Sequence, residues 1–156
     1  MKTLKILSLL CVIFLASSCK QNDWLDWKTQ NELWLLKNAE KNDVRTTPTG
    51  LQYKCIFAGH DKSARPDDVK LVTIKYSGKL INGYEFDANE SYTGYVSDFV
   101  AGFSEGLKKM HEFGIYEFYI PYNLGYGAEG AGAEGTTNHI PPYSTLIFYV
   151  ELKAVN

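Results

Sequence analysis

Val72, Ile74 and Tyr76 alternate with Thr73, Lys75 and Ser77, so one face of this run is apolar at the two-residue period of a half-buried strand. Asn82-Gly83 follows a few residues later. That dipeptide is favoured in two-residue hairpins, where both central positions need positive φ. The chain therefore returns antiparallel through Tyr84 and Phe86, which directs the fold toward an antiparallel sheet with one covered face.

Other segments extend this sheet. A turn at Thr46-Thr47-Pro48-Thr49-Gly50 leads into a strand from Leu51 to Phe57, since proline and glycine mark the reversal. Gly59 to Asp68 is a charged loop containing Pro66. Another strand spans Ile115 to Pro121, and a last one, Leu146 to Ala154, sends Leu146, Phe148, Val150 and Leu152 to one face. Between them, Ser104 to His111 reads as one short helix capped by Ser104, with Phe103, Leu107 and Met110 on one side and Gly114 ending it. Several strands against one short helix define an α+β domain.

The segment from Gly125 to Pro142 has the composition of a loop. It carries five glycines, begins beside Tyr126 and ends at Ile140-Pro141-Pro142. Gly-Ala-Glu-Gly at 127–130 is echoed at 132–135, a local duplication. Glycine makes the backbone permissive, and a loop of this length inside a compact domain is expected to act as a mobile flap.

The amino terminus has a different character. Lys2 and Lys5 precede an apolar run from Ile6 to Leu15, the layout of a secretory signal and too short for a membrane span. Leu15-Ala16-Ser17-Ser18-Cys19 resembles a bacterial lipobox, which implies cleavage before Cys19 and acylation there; the alternative is an ordinary cleavage site with a chance cysteine. The expected organisation is a signal peptide over 1–18, a lipidated tether and amphipathic helix over 19–46, and one domain over 47–156. Cleavage removes two lysines and no acids, taking the formal charge from −2 to −4, which disfavours nucleic acid as a partner. It also leaves Cys55 without an internal disulfide partner. After a polar tether at Lys20–Asp23, Trp24, Trp27, Asn31 and Trp34 share a helical face over roughly 26–41, with Asp23 or Asp26 as N-cap. This helix either docks a partner, a second copy included, or packs on its own domain.

Hydrolytic chemistry leaves no trace. His60, His111 and His139 are scattered, and HExxH, CxxC and G-x-S-x-G motifs are absent, so neither zinc catalysis nor a serine nucleophile is indicated. The glycines after Tyr126 lack the lysine and hydroxyl residue of a phosphate-binding loop. What remains is apolar and aromatic: Tyr76, Phe86, Phe99, Val100, Phe103, Tyr126, Ile140 and Phe148, with Asp87 as the neighbouring carboxylate.

In order, Val72-Thr73-Ile74-Lys75-Tyr76-Ser77-Gly78, Asn82 to Asp87, Phe99 to Leu107, Ile120 to Gly127, Ile140-Pro141-Pro142 and Leu146 to Leu152 resemble the FKBP-type peptidyl-prolyl isomerases. The resemblance covers residues 47–154. It implies a half-wrapped antiparallel sheet closing on the short helix, with a pocket between them that isomerises X–Pro bonds without a cofactor or metal. By motif, Tyr76, Phe86 and Phe148 are walls, Phe103 the floor, and Phe99 and Val100 the rim. The Val100 N–H and the Tyr126 hydroxyl are substrate donors, Asp87 stands beside the substrate carbonyl or caps a turn, and Ile140 closes the flap side.

The chain departs from the family pattern in several places. Phe103 stands where many members have tryptophan, and no arginine in 88–98 supports Asp87. The segment from Asp87 to Phe99 is short, implying a truncated edge strand with Tyr92 or Tyr95 filling a wall position. The resemblance implies a lipid-anchored isomerase of the bacterial cell envelope that assists exported proteins, binds proline-containing polypeptides and takes the family's macrolide ligands. Two other readings are a binding module or chaperone of low turnover, and an envelope lipoprotein that docks through its amino-terminal helix.

Overall fold

The computed structural model describes residues 15–60, 63 and 65–156, with side chains described from Trp24 onward. The basic start and most of the apolar run of the expected signal peptide lie outside the described residues. In chain order the elements are α1 (Leu15–Ala39), β1 (Arg45–Thr46), β2 (Gln52–Phe57), β3 (Leu71–Lys79), β4 (Glu85–Tyr95), α2 (Ala101–Leu107), β5 (Ile115–Ile120) and β6 (Leu146–Val155). Short 3₁₀ turns occupy Val96–Asp98 and Tyr122–Leu124. The strands form one sheet in the order β1-β2-β5-β6-β3-β4, and every neighbouring pair is antiparallel. This is the α+β architecture that the alternating pattern implies.

The sheet closes on α2. Val72 and Ile74 of β3, Phe118 and Ile120 of β5, and Leu146, Val150 and Leu152 of β6 are fully buried, together with Leu107 and Met110. Two glycines one helical turn apart let the helix approach this closely: a Cβ on Gly102 would lie 2.5 Å from Ile120 Cγ2, and one on Gly106 would lie 2.7 Å from the Phe118 ring. Glycine costs a helix about 1 kcal/mol relative to alanine, but any side chain here would push α2 off the sheet. The helix begins at Ala101, three residues before the expected start, and ends at Leu107. Ser104 is not its cap: it is buried within α2 and its hydroxyl donates to the Val96 carbonyl at 2.6 Å.

Two strand details also differ from expectation. The β3–β4 connection has the Gly83 N–H bonded to the Leu80 carbonyl and the Leu80 N–H to Tyr84 O, a three-residue loop with only Gly83 at positive φ. Asn82 instead uses its side chain, accepting the Tyr84 N–H at 3.0 Å. The edge strand is not truncated either, since β4 runs eleven residues and pairs with β3 along its length.

α1 runs unbroken through Lys20–Asp23, which were expected to form a tether, so neither Asp23 nor Asp26 caps it. Trp27, Asn31, Trp34 and Asn38 share the face turned to the domain. The Trp27 indole donates to Ser144 Oγ at 3.0 Å, Asn31 Oδ1 accepts the Thr145 N–H at 2.7 Å, and Asn38 donates to Gln52 at 2.9 Å. Trp34 packs on Tyr119 with ring centroids 5.7 Å apart. The helix therefore packs on its own domain, and Leu25, Leu33 and Leu36 remain exposed. Among the described residues, no helix is long and apolar enough to cross a membrane.

Asn31 is fully buried, and truncation would strand the Thr145 N–H. Asn31→Ala should destabilise the domain by about 1–3 kcal/mol, read as a lowered denaturation midpoint with unchanged slope. Leu33→Ala on the open face should change stability by less than about 0.5 kcal/mol.

Candidate active site

A cleft opens between the start of α2 and the concave face of β3 and β6. Its base is Phe103, only 2% exposed in the first turn of α2. The Phe103 ring stands edge-on to Phe148 of β6 at 4.9 Å and 87°, edge-on to Phe118 beneath it at 5.6 Å, and stacked on Phe99 at 4.7 Å and 22°. Tyr76 of β3 meets Phe103 at 6.2 Å and Phe148 at 6.1 Å, both edge-on. Edge-to-face contacts are favoured by the ring quadrupoles and fix ring tilt as well as position, so these aromatics form a preset wall.

The resulting cavity is about 280 Å³, bounded by Tyr76, Asp87, Tyr92, Asp98, Phe99, Val100, Phe103, Tyr126 and Phe148. Seven of the nine pocket residues expected from the sequence line it. Phe86 and Ile140 line an adjoining cleft of about 240 Å³ beneath the glycine-rich loop, which shares Asp87, Tyr126 and Phe148 with the first. Phe86 reaches the main wall indirectly, edge-on to Phe148 at 5.5 Å.

Two lining residues fall outside the expected set of nine. Tyr92 fills a wall position, packing on Phe99 at 5.7 Å and Tyr76 at 6.3 Å; Tyr95 is exposed and takes no part. Tyr92 pairs with Ile74, whereas Tyr76 pairs with Asn89, so a β-bulge in β4 sits between them. Asp98 adds a second carboxylate, and its place directly before Phe99 was the available signal.

Asp87 has support from within the pocket. The Tyr76 hydroxyl donates to Asp87 Oδ2 at 2.8 Å, taking the role that a nearby arginine would fill. Burial, then this bond and the Asp87 charge, push the Tyr76 phenol well above its ordinary range. Burial, with Asp87 second, raises Tyr126 as well. Both hydroxyls are neutral donors at pH 7, as unperturbed phenols are, and the shifts keep them so further into the alkaline range. Tyr126 is 41% exposed at the mouth, in reach of a ligand. Val100 precedes α2 as its N-cap, and among the described residues its N–H meets no acceptor within hydrogen-bond distance. Among the described residues, no three metal-ligating side chains cluster.

The glycine-rich loop is cross-tied, contrary to the free flap expected from its composition. Ala131 and Ile140 exchange backbone bonds at 2.9 and 2.7 Å, the Tyr143 N–H reaches Gly127 O at 3.0 Å, and the Tyr84 hydroxyl donates to Thr137 O at 2.9 Å. Gly130 takes φ 71°, and a Cβ there would run into the Ile140 carbonyl. These ties seat Ile140, 4% exposed, in the wall of the adjoining cleft.

An α+β half-barrel with an aromatic cleft at its helix is the class of protein these elements define. The family model of the FKBP-type peptidyl-prolyl cis-trans isomerases matches residues 62–153, and the chain belongs to that family. It is 40% identical over 129 residues to a probable FKBP-type peptidyl-prolyl cis-trans isomerase FkpA of Neisseria meningitidis, covering 80% of this chain and 45% of that one. It is 35% identical over 132 residues to the outer membrane protein MIP of Legionella longbeachae, covering 82% and 54%. The crystal structure of FkpA from Escherichia coli superposes with a TM-score of 0.81 at 31% identity, covering 100% of this chain and 74% of that one. The chain spans about half the length of the curated relatives it matches.

Gly130→Ala and Tyr84→Phe should both loosen the loop, seen as faster amide exchange over residues 131–140 with exchange in β3 and β6 unchanged. Because folding raises the Tyr76 and Tyr126 values, the neutral phenols are favoured in the native state. Their contribution to stability should be complete below pH ~10 and lost as pH climbs through the raised native values, read as a falling Tm in alkaline titration.

Proposed function

We propose that this protein is a peptidyl-prolyl cis-trans isomerase acting on proline-containing segments of polypeptides. The observation that carries the reading is the edge-on aromatic cage of Phe103, Phe148 and Tyr76, open at a rim where Tyr126 and the Val100 N–H offer donors. An amide resists rotation by about 18–20 kcal/mol because resonance keeps it planar. Twisting removes that resonance and makes the group less polar, so an apolar pocket penalises the twisted form less than the planar one. Each ~1.4 kcal/mol of that difference is tenfold in rate. Proline inserts against Phe103, the Val100 N–H takes a substrate carbonyl, the Tyr126 hydroxyl takes a second, and Asp87, held by Tyr76, sets the local charge. No covalent step is required.

The wider setting follows from the same reading. The protein works in the bacterial envelope, supported by the signal-like amino terminus and by a relative named as an outer membrane protein. Acylation at Cys19 would anchor it, with α1 leading directly from the membrane surface to the domain. Exported chains are its clients, and the family's macrolide ligands would occupy the same cage. A second copy would meet the exposed Leu25, Leu33 and Leu36 face, because the tryptophan face is taken.

The reading is tested with a proline tetrapeptide and exchange measured by NMR. Acceleration is expected. Tyr126→Phe should lower kcat/KM about fivefold, the equivalent of one hydrogen bond of ~1 kcal/mol, and Phe103→Leu should lower it more than about tenfold by opening the floor. A folded protein that binds proline peptides without accelerating exchange would establish the low-turnover binding module instead.

A further inference from the structure

A second cavity, of about 560 Å³, lies near the end of α2 opposite to Phe103 and shares no residue with the prolyl clefts. Arg45 of β1, Tyr53 and Cys55 of β2, Arg65, Lys109 and Tyr116 of β5 line it. Its size is typical of ligand clefts, and its charge is opposite to that of the whole chain. Three cations converge in a protein of formal charge −2. Asp43, which also lines the cavity, is already bound by Lys54 at 2.8 Å. Lys109 reaches Glu105 only at 3.7 Å. Arg65 spends its Nε–H on His111 at 3.1 Å, a partner that does not offset its charge, and among the described residues neither arginine has a carboxylate partner. Such a cluster concentrates anions locally even when the protein as a whole repels them.

The floor is aromatic. Tyr53 and Tyr116 stack with centroids 6.2 Å apart and 18° between planes, and Lys109 Nζ lies 5.6 Å above the Tyr53 ring. Beside this floor the sheet is open. β1 pairs only with Tyr53 and Gln52, so beyond them the outer edge of β2 carries no strand from Cys55 to Phe57, a stretch that bulges at Ile56, and Cys55, Ile56 and Phe57 are all exposed. An open edge presents backbone donors and acceptors to any extended chain. A lone anion needs the cations but has no use for the edge; an extended acidic peptide uses both.

We propose that the open edge of β2 accepts an extended polypeptide segment as an added strand, with its acidic side chains in the Arg45, Arg65 and Lys109 pocket and its apolar side chains on the opposite face. Side chains of a strand alternate between faces, so the favoured segment alternates acidic and apolar residues. Main-chain bonds supply the affinity and the pocket supplies the selection, as in other strand-addition modes.

The test uses the full chain and an acetylated, amidated Glu-Val-Glu-Val-Glu-Val peptide, which lacks proline and so does not report on the prolyl cleft. Calorimetry at low ionic strength should show binding that weakens as salt is added and vanishes for the peptide with lysine in place of glutamate. Arg45→Glu with Arg65→Glu, both exposed, should weaken it at least about tenfold; the Arg45→Gln, Arg65→Gln pair serves if charge reversal disturbs folding. Bound peptide should slow alkylation of Cys55 by iodoacetamide, read at the Cys55 fragment by mass spectrometry. No binding, or binding indifferent to both variants, overturns the proposal. Equal Cys55 protection by inorganic phosphate alone reassigns the pocket to small anions, and arginine-dependent binding of phosphatidylglycerol vesicles without peptide binding reassigns it to a membrane surface; either overturns it.

Discussion

The close contact of α2 with the sheet, at Gly102 against Ile120 and Gly106 against Phe118, is the constraint on which the rest depends. It sets the height of Phe103 above the sheet, because Phe103 lies between these two glycines in the same short helix. Had α2 ridden one methyl farther out, Phe103 would lose its contact with Phe118 and Phe148, and the cage would lack a floor. Ser104 secures the approach from the other side, tying α2 to the Val96–Asp98 turn through its bond to Val96 O. The same turn delivers Asp98 and Phe99 to the rim.

Much of the sheet was legible because burial on one face imposes a period of two. Val72 and Ile74, and Leu146, Phe148, Val150 and Leu152, are buried as their alternation indicated. Misreadings arose where tertiary contact overrode local preference. A serine before a run of helix formers looks like a cap, so α2 was placed three residues late. Asn82-Gly83 was read as a two-residue turn, but the Asn82 side chain satisfies the backbone itself, and a longer loop results. Tyr92 was one of two tyrosines expected at a wall position, and it is the one that lines the cleft; the β-bulge that brings it there depends on the pairing partner, so the choice between Tyr92 and Tyr95 was not readable from β4 alone.

The candidate site shows a comparable division. Ring-bearing residues expected from ordered motifs converge because each lies on an element whose covered face was readable. The electrostatic part was not readable: Asp87 was seen to lack an arginine, and its actual support, Tyr76, lies eleven residues upstream on the neighbouring strand. Adjacency across a ladder depends on register, which a residue spacing does not encode once a bulge intervenes.

α1 bears on the cleft as well as on stability. Its Trp27 and Asn31 hold Ser144 and Thr145, the residues between Pro141-Pro142 and β6. The Ser144 hydroxyl in turn donates to Pro141 O at 2.7 Å, directly after Ile140. A continuous run of hydrogen bonds therefore leads from the buried face of α1 to the base of the glycine-rich loop. The loop's far end is clasped by Tyr84 at Thr137, and its near end is set by a helix remote in sequence. Ile140 is thus positioned from two sides, and α1 supports the cleft through the base of the loop although it lines neither cavity itself.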